Sequence, residues 1–224
     1  MRPAWASRQE VLRAYYDKEW GTPVVSDQEV FRALTLIIFQ AGLFWGAVIA
    51  RAEEFAGFFD DFDYRKIAEW GDEERTALLA EPRMISNAQK LRAVMANARV
   101  AAELEESGGL ARLVWGFRPA TTPVPQVAED IPQEIPESAA LSAALREAGF
   151  SFAGPRICFN LMQTIGVVDT NLVGAHRRGS STLWNDDGTV ARHLEIENSH
   201  PGLTETKQPP RPKETSSRAC ADGR

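Results

Sequence analysis

Chemistry is first suggested by Gly149-Phe150-Ser151-Phe152-Ala153-Gly154, followed by Pro155 and Arg156. A glycine at each end of a short turn allows positive φ, and Pro155 suits the first position of a new helix. Unpaired amides at such a helix start point outward with partial positive charge, where a phosphate oxygen can sit. Arg156 adds a cation. Gly149, Gly154 and Arg156 are therefore candidates for holding a phosphate group. The same residues also describe a plain pair of helices joined by a tight turn, with no ligand at all. Just beyond lies Val168-Asp169-Thr170, with His176, Arg177 and Arg178 following. Asp169 places a carboxylate in a short loop, from which aspartate often caps a helix.

These residues need helices to place them. Ser26-Asp27-Gln28-Glu29 reads as a capping box, a hydroxyl at the N-cap and a carboxylate three residues on. Val30, Phe31, Leu34, Ile37 and Ile38 follow at helical spacing. Ser86-Asn87-Ala88-Gln89 repeats the device and predicts a helix carrying Leu91, Val94, Met95 and Ala98 that ends near Gly108-Gly109. A third helix starts at Ser138, buries Leu141, Leu145 and Ala148, and stops at Gly149. Sustained two-residue alternation is scarce, so the fold class is all-α. Pro119 to Pro136 contains five prolines and reads as an extended crossover. Asn185-Asp186-Asp187-Gly188, within Leu183 to Leu194, is a turn signal for a small hairpin. From about Glu197 the chain is rich in Pro, Ser, Thr, Lys and Glu and cannot bury a core. The reading is one helical domain over residues 1–196 and a disordered tail over 197–224.

Composition narrows the partners. An apolar fraction of 44% in 224 residues supplies a core for a single domain. Two cysteines, Cys158 and Cys220, are too few for a disulfide framework or a Cys-rich zinc module. A net charge of −6 argues against a broad electropositive surface, though a local phosphate site needs only a few cations and amides. Leu34 to Ala50 is too short to span a bilayer and is broken by Gln40, Gly42 and Gly46, so it reads as a buried helix pair. No apolar run follows Arg2 and Arg8, so no secretory signal is expected and residence is expected to be cytoplasmic, with no membrane partner.

The order of helix, glycine hairpin, helix and aspartate loop resembles the helix-hairpin-helix DNA glycosylases. That resemblance makes Asp169 a candidate catalytic carboxylate, one that assists departure of a base or activates the attacking group. Trp5, Tyr15-Tyr16-Asp17-Lys18-Glu19-Trp20-Gly21 and Gln40-Ala41-Gly42-Leu43-Phe44-Trp45 are similar to the signature blocks of the 3-methyladenine DNA glycosylase I family. Phe62-Asp63, the Ile85 to Asn97 helix, Val114-Trp115-Gly116-Phe117 and Gly149 to Gly166 follow in the family's order. The resemblance spans roughly Pro3 to Gly174. It implies an orthogonal helical bundle acting on duplex DNA with a flipped base, without a cofactor and as a monomer. Tyr15 and Trp45 match the family's stacking positions, with Trp5, Trp20 and Gln40 nearby. Aromatic faces attract an alkylated, cationic base, at about 1–2 kcal/mol each when desolvated. Leu43 matches the residue that wedges into the gap left in the duplex.

Three departures stand out. The family's terminal zinc ligands fall on Pro3, Tyr16, Asn171 and Ala175, none of which has the thiolate or imidazole that structural zinc requires. No metal is expected; Tyr16 is expected to fill the site and packing to join the ends. His176 stands beside the last position alone. The base-reading glutamate falls on Ile37, which accepts no hydrogen bond. Ser86 and Ala88 occupy positions commonly basic in the family, while Lys90 is retained. Three functions remain open at this stage: a DNA N-glycosylase, a repurposed scaffold whose apolar pocket takes another small N-heterocycle, or a DNA-binding relative without chemistry.

Overall fold

The computed structural model describes residues 2–194. The tail expected over 197–224, with Cys220, lies outside the described residues. Among these the chain is helical, as expected, in the order α1 (Glu10–Lys18), α2 (Asp27–Gln40), α3 (Trp45–Ile49), α4 (Ala52–Phe58) and α5 (Tyr64–Ala68). Then come α6 (Asp72–Ala80), α7 (Ala88–Leu104), α8 (Gly109–Trp115), α9 (Pro136–Glu147) and α10 (Pro155–Thr164). A single 3₁₀ turn, Ala4–Ser7, precedes α1.

Helix α2 is the axle. Its residues from Val30 to Phe39 are buried on every face except at Arg32, as expected of a helix enclosed by others. α3, α7, α8 and α10 all pack on it. Ser26 caps its start by accepting from the Glu29 amide at 3.3 Å, but the box is not reciprocal. The Glu29 carboxylate takes the Ser26 hydroxyl at 2.8 Å instead. Asp27 reaches sideways, accepting from the Ala111 amide at 2.7 Å in the first turn of α8, and so fastens one helix start to another.

The other helix starts differ from expectation by one or two residues. Asn87, not Ser86, caps α7, accepting from the amides of Gln89 and Lys90. α9 starts at Pro136, where the fixed φ of proline suits the first helical position; Ser138 lies in the first turn and bonds both polar groups of Ile135. Lys90 is buried and donates to the Phe39 and Ala41 carbonyls at 2.8 and 2.6 Å. It neutralises the negative end of α2 and is not a phosphate contact. Burial lowers its pKa. The segment after α8 is largely irregular, with one 3₁₀ turn at Ala128–Asp130. The expected small hairpin is reduced to an isolated antiparallel bridge, Trp184 with Val190, around a turn in which Gly188 has φ +83°.

Candidate functional site

α1 ends in an aromatic cluster. Tyr15 projects from its buried face, Trp20 follows in the turn after it, Trp5 comes from the preceding 3₁₀ turn, and Trp45 opens α3. The rings meet at steep angles: Trp5–Trp20 at 5.3 Å and 63°, Tyr15–Trp20 at 6.2 Å and 67°, Trp20–Trp45 at 6.0 Å and 80°. Tyr15 and Trp45 lie 5.9 Å apart at 60°. A heterocycle held between two parallel rings needs about 7–8 Å between them, two layers of carbon contact. The expected sandwich is therefore closed in this structure, its two walls resting on each other.

Space lies on the flank of the cluster. A cavity of about 210 Å³ is lined by Tyr15 and Trp45, by Lys18 at the end of α1 and Glu19 just after it, by Arg32 and Leu36 of α2, and by Thr164 and Ile165 at the end of α10, among others. Drug-sized ligands occupy roughly 300–1,000 Å³, so this volume is scaled to a single small heterocycle. Glu19 faces Arg32 at 3.4 Å across its rim. Burial raises the pKa of the Tyr15 hydroxyl far above its ordinary value, so Tyr15 is neutral and able to donate.

Several expected residues lie elsewhere. Ile37 is 0% exposed within the main core and lines no part of the cavity, correcting its expected place in a base pocket. Its side chain is one more apolar contact of α2. Gln40 donates to the Leu43 carbonyl at 3.0 Å and shapes the turn rather than the cavity. Trp5 and Trp20 form the back of the cluster. Glu19, Arg32 and Thr164, which line the cavity, escaped the sequence reading. Glu19 was accessible to it, lying four residues after Tyr15 and hence on the same helix face.

Asp169 is also away from the cavity. One of its oxygens accepts from the backbone and side-chain nitrogens of Asn171, both at 2.9 Å; the other accepts from the Gly179 amide at 2.8 Å. The carboxylate is spent on shaping the loop, which corrects its candidacy for catalysis. Asn171, so held, accepts from the Tyr16 hydroxyl at 2.8 Å. Tyr16 thus bridges two of the positions onto which the zinc ligands were expected to fall, 16 and 171, and burial pushes its pKa up to about 12. Around it Asp17 takes Arg2 at 2.7 Å and His176 at 2.9 Å, while Arg177 donates to the Trp20 carbonyl and the Thr22 hydroxyl. The two ends of the domain are joined by hydrogen bonds and ion pairs, and the side chains at positions 3, 16, 171 and 175 do not fit zinc.

Two features face outward. Gly42, at φ +81°, turns the chain so that Leu43 and Phe44 stand 41% and 42% exposed at the tip between α2 and α3. Large apolar side chains so placed suit a wedge into stacked bases. The second feature is the turn from α9 to α10. The amide of Gly149 bonds the Arg146 carbonyl and that of Phe150 the Leu145 carbonyl, the paired arrangement that ends a helix through a left-handed residue, here Gly149 at φ +105°. Gly154 is extended at φ −71°, and the second positive φ falls on Phe152 at +55°, correcting the expectation of two left-handed glycines. Asn97 of α7 clamps the turn by bonding both the amide and the carbonyl of Ser151. Pro155 is the first residue of α10 and Arg156 is exposed beside it.

The methyladenine glycosylase family's sequence model matches residues 5–178. The DNA-3-methyladenine glycosylase 1 of Escherichia coli K12 is 34% identical over 177 residues, covering 77% of this chain and 94% of its own. The DNA-3-methyladenine glycosylase of Haemophilus influenzae is 33% identical over 175 residues, covering 76% and 94%. A crystal structure of 3-methyladenine DNA glycosylase I superposes with a TM-score of 0.75 at 32% identity, over 79% of this chain and 98% of that one. By the family match over residues 5–178, the identity to these relatives and the shared fold, the chain belongs to the methyladenine glycosylase family.

Proposed function

We propose that this chain, acting as a monomer, is a DNA-3-methyladenine glycosylase that hydrolyses the N-glycosidic bond of a flipped, alkylated purine in duplex DNA. The observation that carries the reading is a heterocycle-sized cavity flanked by Tyr15 and Trp45, in a chain that the family's sequence model matches from residue 5 to 178. The α9–α10 turn and Arg156 hold the phosphodiester backbone. Leu43 and Phe44 enter the stack as the damaged nucleotide leaves it. The base then parts Tyr15 from Trp45, exchanging ring–ring contact for ring–base contact.

Alkylation does much of the chemical work. A cationic purine is already a good leaving group: water adds to the sugar carbon, the glycosidic electron pair returns to the base, and the base departs neutral. The water's surplus proton passes to solvent. The chain therefore needs to expose the bond and to capture the cationic base, whose binding the aromatic faces and the Glu19 carboxylate favour. Asp169 has no part in that step. Incubation with methylated DNA and chromatography of the released bases tests the reading. The parent is expected to release 3-methyladenine, and Tyr15→Ala or Trp45→Ala to lose at least 100-fold in rate while keeping the helical circular-dichroism signal. Duplex binding without any release would identify instead a DNA-binding relative, and absence of duplex binding at low salt a repurposed scaffold.

A further inference from the structure

A cleft of about 520 Å³ lies between the start of α6 and one face of α7, sharing no residue with the aromatic cavity. Small-molecule sites occupy roughly 300–1,000 Å³, so this one has the room of a whole ligand. Three guanidinium groups line it: Arg75 of α6, and Arg92 and Arg99 of α7. Each is held by some of its five N–H groups and keeps the others for a ligand. Arg75 donates to Asp72 at 2.7 Å, and Arg92 to the Ala88 carbonyl at 3.1 Å. Arg99 donates to the carbonyls of Ala68 and Trp70 at 3.0 and 2.7 Å. Neither Arg92 nor Arg99 has an ion-pair partner among the described residues. The nearby Glu74 carboxylate is turned to the Gly71 amide, at 2.8 Å. A chain of net charge −6 thus gathers three anchored cations around one hollow, where their mutual repulsion is relieved by an anion entering between them. Met95 and Trp70 add apolar lining, and Trp70 is stacked on the buried Phe59 at 5.8 Å and 24°, which fixes its ring.

We propose that this cleft binds a free nucleoside monophosphate, its phosphate on the three arginines and its nucleoside against Trp70. Charge argues for the phosphomonoester. Three guanidinium groups and the Asp72 carboxylate leave two positive charges, and a phosphomonoester carries about −1.5 to −2 near pH 7. Each phosphate of a nucleic-acid backbone carries a single negative charge. The planar fork of arginine also matches phosphate oxygens in pairs. Volume argues for the nucleoside: inorganic phosphate alone leaves most of the cleft empty, and an anchored indole is a stacking platform for a base. Position argues for a ligand separate from duplex DNA. Arg92, Met95 and Arg99, spaced three and four apart, share one face of α7. Asn97, which clamps the α9–α10 turn, is two residues from both Met95 and Arg99 and so stands on the opposite side. The cleft and the hairpin are on different sides of α7, and the site stands whether or not the chain releases bases.

Calorimetric titration of the full chain with uridine 5′-monophosphate, uridine and inorganic phosphate tests this; a pyrimidine keeps the purine-sized aromatic cavity out of the measurement. The nucleotide is expected to bind one per chain, at least tenfold tighter than uridine or inorganic phosphate. Arg92→Gln and Arg75→Gln are each expected to weaken it tenfold or more, with melting temperature and base release as in the parent. Tyr15→Ala is expected to leave nucleotide binding unchanged. No binding of the nucleotide, equal binding of uridine or of inorganic phosphate, or an affinity that both arginine variants retain would overturn the proposal. Loss of nucleotide binding in Tyr15→Ala would move the ligand to the aromatic cavity and overturn it too. So would displacement of the nucleotide by duplex DNA together with a salt slope lowered in Arg92→Gln, which would assign the cleft to the DNA backbone. Base release from methylated DNA is followed separately. A parent that binds the nucleotide and releases no base refutes the glycosylase reading alone, and one that releases 3-methyladenine without binding the nucleotide refutes this site alone.

Discussion

At the scale of single residues, two carboxylate questions are answered by geometry. Position 37 has no carboxylate and no access to the cavity, so recognition has to come from elsewhere on its wall. Asp169 has a carboxylate but no freedom, because both oxygens already accept amide hydrogens. An Asp169→Asn variant sets an amide group against one of those donors and leaves it unpaired. That loss costs about 1–3 kcal/mol, or roughly 2–10 °C in melting temperature for a domain of this size. Differential scanning calorimetry is expected to record the fall, with base release at a permissive temperature within a few-fold of the parent. A variant of unchanged melting temperature that lost release by 100-fold would restore Asp169 as a catalytic group.

At the scale of elements, the hairpin shows what a sequence discloses and what it withholds. The stop of α9 at Gly149 and the start of α10 at Pro155 were legible, because each depends on a residue's own backbone preferences. The clamp by Asn97 was not, since it joins positions 54 apart in the chain. The role of Lys90 was hidden for the same reason: a lysine near a helix start resembles a phosphate contact until the end of α2 is placed beneath it. The aromatic residues of the site were readable as a set, while their mutual angles depend on how three separate segments converge. For the hairpin itself, Arg156 is the cation placed to meet a phosphate. Replacing it by glutamine is expected to weaken duplex binding alike for all sequences and to lower the slope of log affinity against log salt by about one. Fluorescence anisotropy over a salt series measures both. An unchanged slope would remove Arg156 from the interface.

For the whole molecule, the joining of the two ends sets its response to acid. Arg2, bonded to Asp17, with His176 on the same carboxylate, holds the Asp17 carboxyl down to about 2 from an ordinary 3.8. A depressed carboxyl contributes stability in full above its unfolded value and loses it as pH falls through its folded one. The contribution is therefore complete above about pH 4 and disappears toward pH 2. Asp17→Asn is expected to be less stable than the parent at pH 5 but to lose less between pH 5 and pH 2, as measured by denaturant unfolding at each pH. Parallel curves for the two proteins would show that the ion pairs at Asp17 contribute nothing.

The same closure has a bearing on survival under the conditions that create this family's work. Agents that methylate purines also attack sulfur, and the reactive form of cysteine is the thiolate. A fold tied by zinc exposes its knot to such agents through the sulfurs that hold the ion. Here the knot is a phenol, an amide and a carboxylate, and the described cysteine, Cys158, is buried with its thiol pushed up to about 12. The groups that join the two ends, and the buried thiol of Cys158, therefore offer such agents no ready thiolate.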